Sequence, residues 1–175
     1  MDKELKKELE NIYNSDQEAR LIWERLEKEY GRNSKEVKKH LENIKKLQKK
    51  NQIVVEKILN KYGWLSKREI GHKAYQAIWL VIQHTDEKDI IKYYNEVEKA
   101  FKEGTISKVD YAMFYDRFLL VQGKKQIYGT QFIYDENIKK YVLDKVEDFP
   151  NLDKRRKDIG LPPVAEDLKE LNNKE

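Results

Sequence analysis

Ala74-Tyr75-Gln76-Ala77-Ile78-Trp79-Leu80-Val81-Ile82 is apolar at eight of its nine positions. Read as a helix, this stretch has no polar side, and a helix apolar all round must be covered from several directions. The chain before it supplies the cover. Leu5, Leu9, Ile12, Asp16, Ala19, Trp23, Leu26 and Tyr30 recur at steps of four and three, the spacing of one helical face. Gly31-Arg32-Asn33-Ser34 then offers a C-cap glycine and an N-cap serine, so one helix ends and another begins there. Val37, Leu41, Ile44, Gln48, Asn51, Val55, Ile58 and Tyr62 repeat the stripe, and Gly63 closes it. Two long helices joined by a short turn pack antiparallel. Residues 1–62 are therefore expected to form a hairpin against which the 74–82 helix is buried.

The pattern continues downstream. Ser66, with Glu69 three residues later, reads as a capping box opening the third helix. A fourth helix fits the stretch from Glu87 to Phe101, stopped by Gly104, and a fifth runs from Ser107 through Val121 to Gly123. Gln126 to Tyr134 is rich in Ile, Tyr, Thr and Phe. Asp135-Glu136-Asn137 is turn chemistry before Tyr141, Val142 and Leu143, so a small β-hairpin is expected. A basic segment from Asp153 to Ile159 precedes Gly160-Leu161-Pro162-Pro163, and the tail after Leu168 is expected to fray. The expected fold is mainly α, a helical bundle in a single domain over residues 1–175. It divides into the hairpin (1–62), a buried helical core (63–123), a small late β-hairpin (124–146) and a C-terminal segment (147–175).

Composition narrows the function classes. Charged residues are 39% and hydrophobic residues 39%, with 7 Gly and 3 Pro, which excludes collagen-like and Gly/Pro-rich disordered chains. The absence of Cys excludes disulfides, thiolate metal sites and a cysteine nucleophile. The net charge is 36 − 32 = +4; residues 1–62 hold 16 basic against 12 acidic residues, so the excess lies in the hairpin. Its lysines, Lys35 to Lys50, lack the arginines and exposed aromatics of a nucleic-acid surface, so a solvated helix face is expected and no nucleic-acid partner. The start, Met-Asp-Lys-Glu, shows no signal peptide, and the longest apolar run is too short for a bilayer. No membrane partner and a cytoplasmic location are the corresponding expectations. There is no GxGxxG, Walker or GxSxG motif and no HExxH spacing, so neither a cofactor nor a metal is implied.

Polar residues at core positions carry the functional expectation, because burying one unpaired costs several kcal/mol. Asp16 interrupts the first stripe, with Arg20 one turn on; Gln48 and Asn51 interrupt the second. Gln83-His84-Thr85-Asp86 ends the most apolar helix, where His84 is either a general acid/base oriented by Asp86 or a C-cap residue. Asp116-Arg117 breaks an aromatic run, and the arginine suits a carboxylate or phosphate of ligand or protein. In a strand, Gln126, Tyr128 and Thr130 share one face and Gln131 lies on the other.

These same positions carry a likeness. Asp16-Gln17-x-x-Arg20, Gly63-Trp64, Gly71, Gln83-His84-x-Asp86, Asp116-Arg117, Gln126-x-Tyr128-Gly129-Thr130-Gln131 and Arg155-Arg156 with Gly160-Leu161 resemble an uncharacterised bacterial domain-of-unknown-function family. The family often has Pro after Gly-Trp, where this chain has Leu65. The resemblance supports the choice of residues and implies no reaction.

The expected site is one pocket formed by Asp16, Gln17, Arg20, Gln83, His84, Asp86, Arg117, Gln126, Tyr128 and Gln131. It would bind a small polar anionic ligand, with Arg20 and Arg117 as clamp and, in an enzyme, His84 as acid/base and Asp86 as its orienter. The alternatives are a non-catalytic ligand- or peptide-binding module, and a structural helical protein whose polar layer fixes helix register.

Overall fold

The computed structural model describes residues 3–173, which form helices over most of their length and one two-stranded sheet. The chain divides into two compact units, Met1–Asp86 and Glu87–Glu175. Their boundary falls inside the 63–123 stretch read above as one helical core.

In the first unit, α1 (Lys3–Tyr30) and α2 (Lys35–Tyr62) form the hairpin. Ser34 starts α2 by accepting the Val37 N–H at 3.2 Å, and Gly63 ends it by donating to the Leu59 carbonyl at 2.8 Å. His40 ties the two helices together through a 2.7 Å bond from Nε2 to the Ala19 carbonyl. A carbonyl can only accept, so Nε2 carries the proton. The stripes bury Leu5, Leu9 and Ile12 on α1, and Val37, Val55 and Ile58 on α2. Asp16 and Asn51 are buried with them.

The helix expected to open at Ser66 is two helices, α3 (Lys67–Ile70) and α4 (His72–Gln83). Gly71, at φ 81°, separates them in a left-handed conformation that glycine adopts at little cost. Its position inside a helical pattern concealed the break. The cap itself is as read: the Ser66 N–H and hydroxyl both donate to the Glu69 carboxylate at 2.7 Å. α4 packs on both α1 and α2. Ala74, Tyr75, Ala77, Ile78, Trp79, Val81 and Ile82 are all buried, as a helix without a polar side requires.

In the second unit, α5 (Glu87–Lys102) buries Ile90, Tyr93, Val97 and Ala100 at steps of three and four, and packs against α6 (Lys108–Val121). Aromatic rings interleave between these helices: Tyr94 stacks on Phe118 at 4.0 Å and Phe101 on Tyr111 at 4.1 Å. The late hairpin forms from β1 (Phe132–Asp135) and β2 (Lys140–Leu143), antiparallel, with Phe132 opposite Leu143. The expected strand is shorter than read. Gln126 forms an isolated parallel bridge with Val146, and residues 127–131 are an irregular loop in which the N–H groups of 127, 128 and 130 bond a side chain instead of a sheet ladder.

A 3-10 turn (Phe149–Asn151), α7 (Leu152–Ile159) and α8 (Val164–Asn173) complete the unit. From Leu168 to Asn173 the tail is helical rather than frayed, and residues 174 and 175 lie outside the described residues. Asn172 anchors it on β2, accepting the Tyr141 N–H at 2.8 Å and donating to the Tyr141 carbonyl at 3.1 Å.

Ser34→Ala should lower stability by about 1 kcal/mol in a urea titration, the usual cost of losing an N-cap. Glu69 offers a pH test. The Ser66 hydroxyl and backbone N–H hold its carboxyl below the ordinary range. Its contribution is therefore present above the unfolded carboxylate value and is lost as pH falls through the lower folded one. The stability gap between the parent chain and Glu69→Gln, present at neutral pH, should close below pH ~4.

Candidate functional site

The expected site residues divide between the two units. Asp16, Gln17, Arg20, Gln83, His84 and Asp86 belong to the first, and Arg117, Gln126, Tyr128 and Gln131 to the second.

In the first unit, Arg20 is the centre of a side-chain cluster. Its Nε donates to the buried Asp16 carboxylate at 2.9 Å, and Gln17 donates to the same oxygen at 3.2 Å. The i, i+4 spacing on α1 brings Asp16 and Arg20 onto one face. Arg20 Nη2 also lies 2.8 Å from His84 Nδ1 and 3.2 Å from Nε2. A guanidinium has only donors, so the nearer ring nitrogen must offer its lone pair. A ring nitrogen that accepts from Arg20 belongs to the neutral imidazole, and Nη2 lies within reach of both ring nitrogens.

His84 is positioned by the end of α4. Its backbone N–H bonds the Leu80 carbonyl at 3.0 Å, and the Thr85 hydroxyl donates to the Ile82 carbonyl at 3.0 Å. Gln83 is buried beside it. Asp86 is exposed, and no bond joins it to the His84 ring among the described residues. Arg20, 64 residues away in sequence, bonds the ring.

The second unit gathers its motif residues around a fully buried carboxylate. Asp116 accepts the backbone N–H of Ile127 at 2.7 Å, of Tyr128 at 3.0 Å and of Thr130 at 3.0 Å, and the Thr130 hydroxyl at 3.0 Å. The side-chain amide of Gln126, also fully buried, donates to the Gln131 carbonyl at 2.9 Å and accepts the Gln131 N–H at 2.8 Å. It thus acts as a substitute peptide strand. Gln131 donates in turn to the Met113 carbonyl at 3.2 Å.

The carbonyls of this loop meet two arginines on α7. Arg155 donates to Ile127 at 2.8 Å, and Arg156 to Tyr128 and Gly129 at 2.9 Å each. Arg156 is fully buried and satisfied further by the Pro162 carbonyl at 2.7 Å and the Asp167 carboxylate. Gly129 sits at φ 61°, where a Cβ would lie 3.1 Å from Leu152.

Tyr128 serves the loop through its backbone. Its phenol is half-buried, and burial, then the nearby Asp116 charge, pushes its pKa up. Arg117 is half-buried on α6; as the neighbour of Asp116 it points about 100° away.

The sequence pattern concealed two of these arrangements. The loop is recognised by Asp116 through main-chain N–H groups, which every residue but proline has, so residue types give no sign of it. Arg155 and Arg156 stood out as motif letters with no assigned task. Among the described residues, no group of three or more His, Asp or Glu side chains is placed to hold a metal ion, and no helix is long and apolar enough to cross a membrane.

A family model described as "Family of unknown function (DUF6624)" matches residues 3–174. No curated protein and no solved structure matches the chain.

Asp116→Asn keeps the side-chain shape but turns one acceptor into a donor aimed at N–H groups. It should cost about 3–5 kcal/mol by chemical denaturation, as loss of a buried charge-assisted network does. Gly129→Ala should cost roughly 1–2 kcal/mol through backbone strain and contact with Leu152.

Proposed function

The chain belongs to this family of unknown function, and we propose that its first unit binds a small polar anionic ligand at Asp16, Gln17, Arg20 and His84. The observation that carries the reading is the Arg20 guanidinium. It bonds a buried carboxylate on one side and a histidine ring on the other, while its side chain stays 31% exposed. An arginine bound by Asp16 through Nε is pre-oriented, and the fork has further N–H donors than these bonds engage. A carboxylate or phosphate approaching it would be met by a planar, bidentate partner.

His84 adds acid/base chemistry to that binding. As the neutral ring it can take a proton from a bound ligand, and Arg20 helps to hold it in place. In this reading Asp16 and Arg20 take the orienting role expected of Asp86. Gln83 is buried next to His84 in the chain, and catalysis at His84 requires the ligand to be bound there first.

A second reading concerns the other motif residues, and the bonds of Asp116, Gln126, Gln131, Arg155 and Arg156 favour it. Each directs its polar atoms to the backbone of the 126–131 loop or its supports. Their role is then to build that loop, with Tyr128 and Arg117 left as its candidate ligand contacts.

Thermal-shift measurements with inorganic phosphate, dicarboxylates, amino acids and nucleotides test the proposal, because a ligand that binds only the native state raises the melting temperature. At least one anion should raise it for the parent chain, and neither His84→Ala nor Arg20→Met should respond while both remain folded. If both variants lose their fold and no anion shifts the parent, the cluster is a structural layer.

A further inference from the structure

Two of the buried aspartates meet their donors differently. Asp116, fully buried, accepts main-chain N–H groups on both carboxylate oxygens and the Thr130 hydroxyl besides. Asp16 is 7% exposed, and both of its donors, Arg20 Nε and Gln17 Nε2, fall on Oδ2. Among the described residues nothing bonds Oδ1. An ionised carboxylate has lone pairs on both oxygens, and burying one half-satisfied is costly. The first unit therefore carries a charged acceptor that still lacks a donor.

The side chains bonded to Asp16 have capacity left as well. Gln17 uses its Nε2 on Asp16, and its Oε1 takes no bond among the described residues. Arg20 uses Nε on Asp16 and Nη2 on His84, and among the described residues its Nη1 makes no bond. The i, i+4 spacing holds Asp16 and Arg20 on one face of α1, and the bond from Gln17 draws its amide to the same side. Gln17 and Arg20 are only half-buried, so a ligand can reach them from solvent. One cluster thus offers a cationic donor, a neutral acceptor and an anionic acceptor.

Charge narrows the ligand further. Arg20 and Asp16 contribute one positive and one negative charge, and His84 as the neutral ring adds none. The cluster has no net charge to attract a phosphate dianion. Such a dianion would also meet the Asp16 carboxylate, which lies 2.9 Å from the guanidinium it seeks. A carboxylate with an ammonium beside it matches both charges at once.

On the ligand-binding reading of this cluster, we infer that its ligand is an α-amino acid. The carboxylate meets Arg20 at Nη1, and the ammonium donates to Asp16 Oδ1 and Gln17 Oε1. An ammonium has three N–H donors, enough for both acceptors. A hydroxyl in its place offers Asp16 one bond and no charge, and a hydrogen offers neither. The buried carboxylate of α1 then gains from the ligand the donors that Asp116 obtains from its own loop.

Isothermal titration calorimetry of the full chain tests this with matched probes. L-Alanine, L-lactate and propionate share a skeleton and differ in carrying an ammonium, a hydroxyl or a hydrogen on the middle carbon. L-Glutamate with glutarate, and L-phenylalanine with 3-phenylpropionate, vary the side chain. In at least one set the amino acid should bind, and its counterparts should bind about tenfold to a hundredfold more weakly, the usual worth of a charge-assisted bond. Asp16→Asn keeps the shape and the acceptor for Arg20 but turns the free oxygen into a donor. It should abolish the preference while leaving the circular dichroism unchanged. Gln17→Met removes the second acceptor from a half-buried position and should narrow the gap, which keeps the test open where Asp16→Asn fails to fold. Acids or inorganic phosphate that bind with no gain from the ammonium in any set overturn the amino-acid assignment and leave the anion site standing. A preference that survives in folded Asp16→Asn, or undiminished in Gln17→Met, overturns it too. A parent chain that binds none of these probes, phosphate included, overturns both.

Discussion

The Asp116 carboxylate has no exposure to solvent, and an ion so placed must be surrounded by donors. The chain meets that demand with main-chain N–H groups of residues 127, 128 and 130, which bends the segment out of strand geometry. Turning the N–H groups inward turns carbonyls outward, and these in turn need donors. Arg155 and Arg156 supply them and so fix α7 against the loop. Arg156 passes the constraint to α8 through Asp167, and α8 closes on β2 through Asn172. The second half of this unit has few buried apolar side chains, Leu152 and Val164 among them. Hydrogen-bond satisfaction, more than apolar burial, specifies how its short elements meet.

The first unit solves a different problem. α4 is apolar on all sides, and burial of such side chains contributes about 1.5–3 kcal/mol each. That gain holds two long amphipathic helices around it without many directed bonds. Directed bonds appear where α4 stops, at His84, Arg20 and Asp16. The polar cluster thus marks the end of the three-helix segment, where the apolar stripe of the hairpin loses its third neighbour.

What could be read in the sequence follows from this contrast. The hairpin, its turn at Gly31 to Ser34, the buried 74–82 helix and the β-turn at Asp135 to Asn137 all rest on side-chain periodicity or turn chemistry, which residue letters display directly. The break at Gly71 did not show, because a single glycine is tolerated inside a helical pattern. The 126–131 loop looked like a strand because its Ile, Tyr and Thr have strand preferences, and a buried carboxylate ten residues upstream overrode them. His84 suggested Asp86 as a partner because the two are close in sequence. The bond to Arg20 depends on how α4 lies along α1, which no local pattern encodes.

The two polar clusters also differ in what their bonds leave available. Around Asp116 the partners are mostly main-chain groups, and moving any of them requires the loop itself to unfold. Around Arg20 the partners are side chains, Asp16 on the same helix and His84 at the end of another, and each can change by rotamer alone. A guanidinium in such a setting can exchange its histidine for a ligand without disturbing the helices that carry it. This asymmetry makes the Arg20 cluster at the end of α4 the more adaptable of the two, whereas Asp116, Gln126 and Gln131 are engaged in holding the loop together.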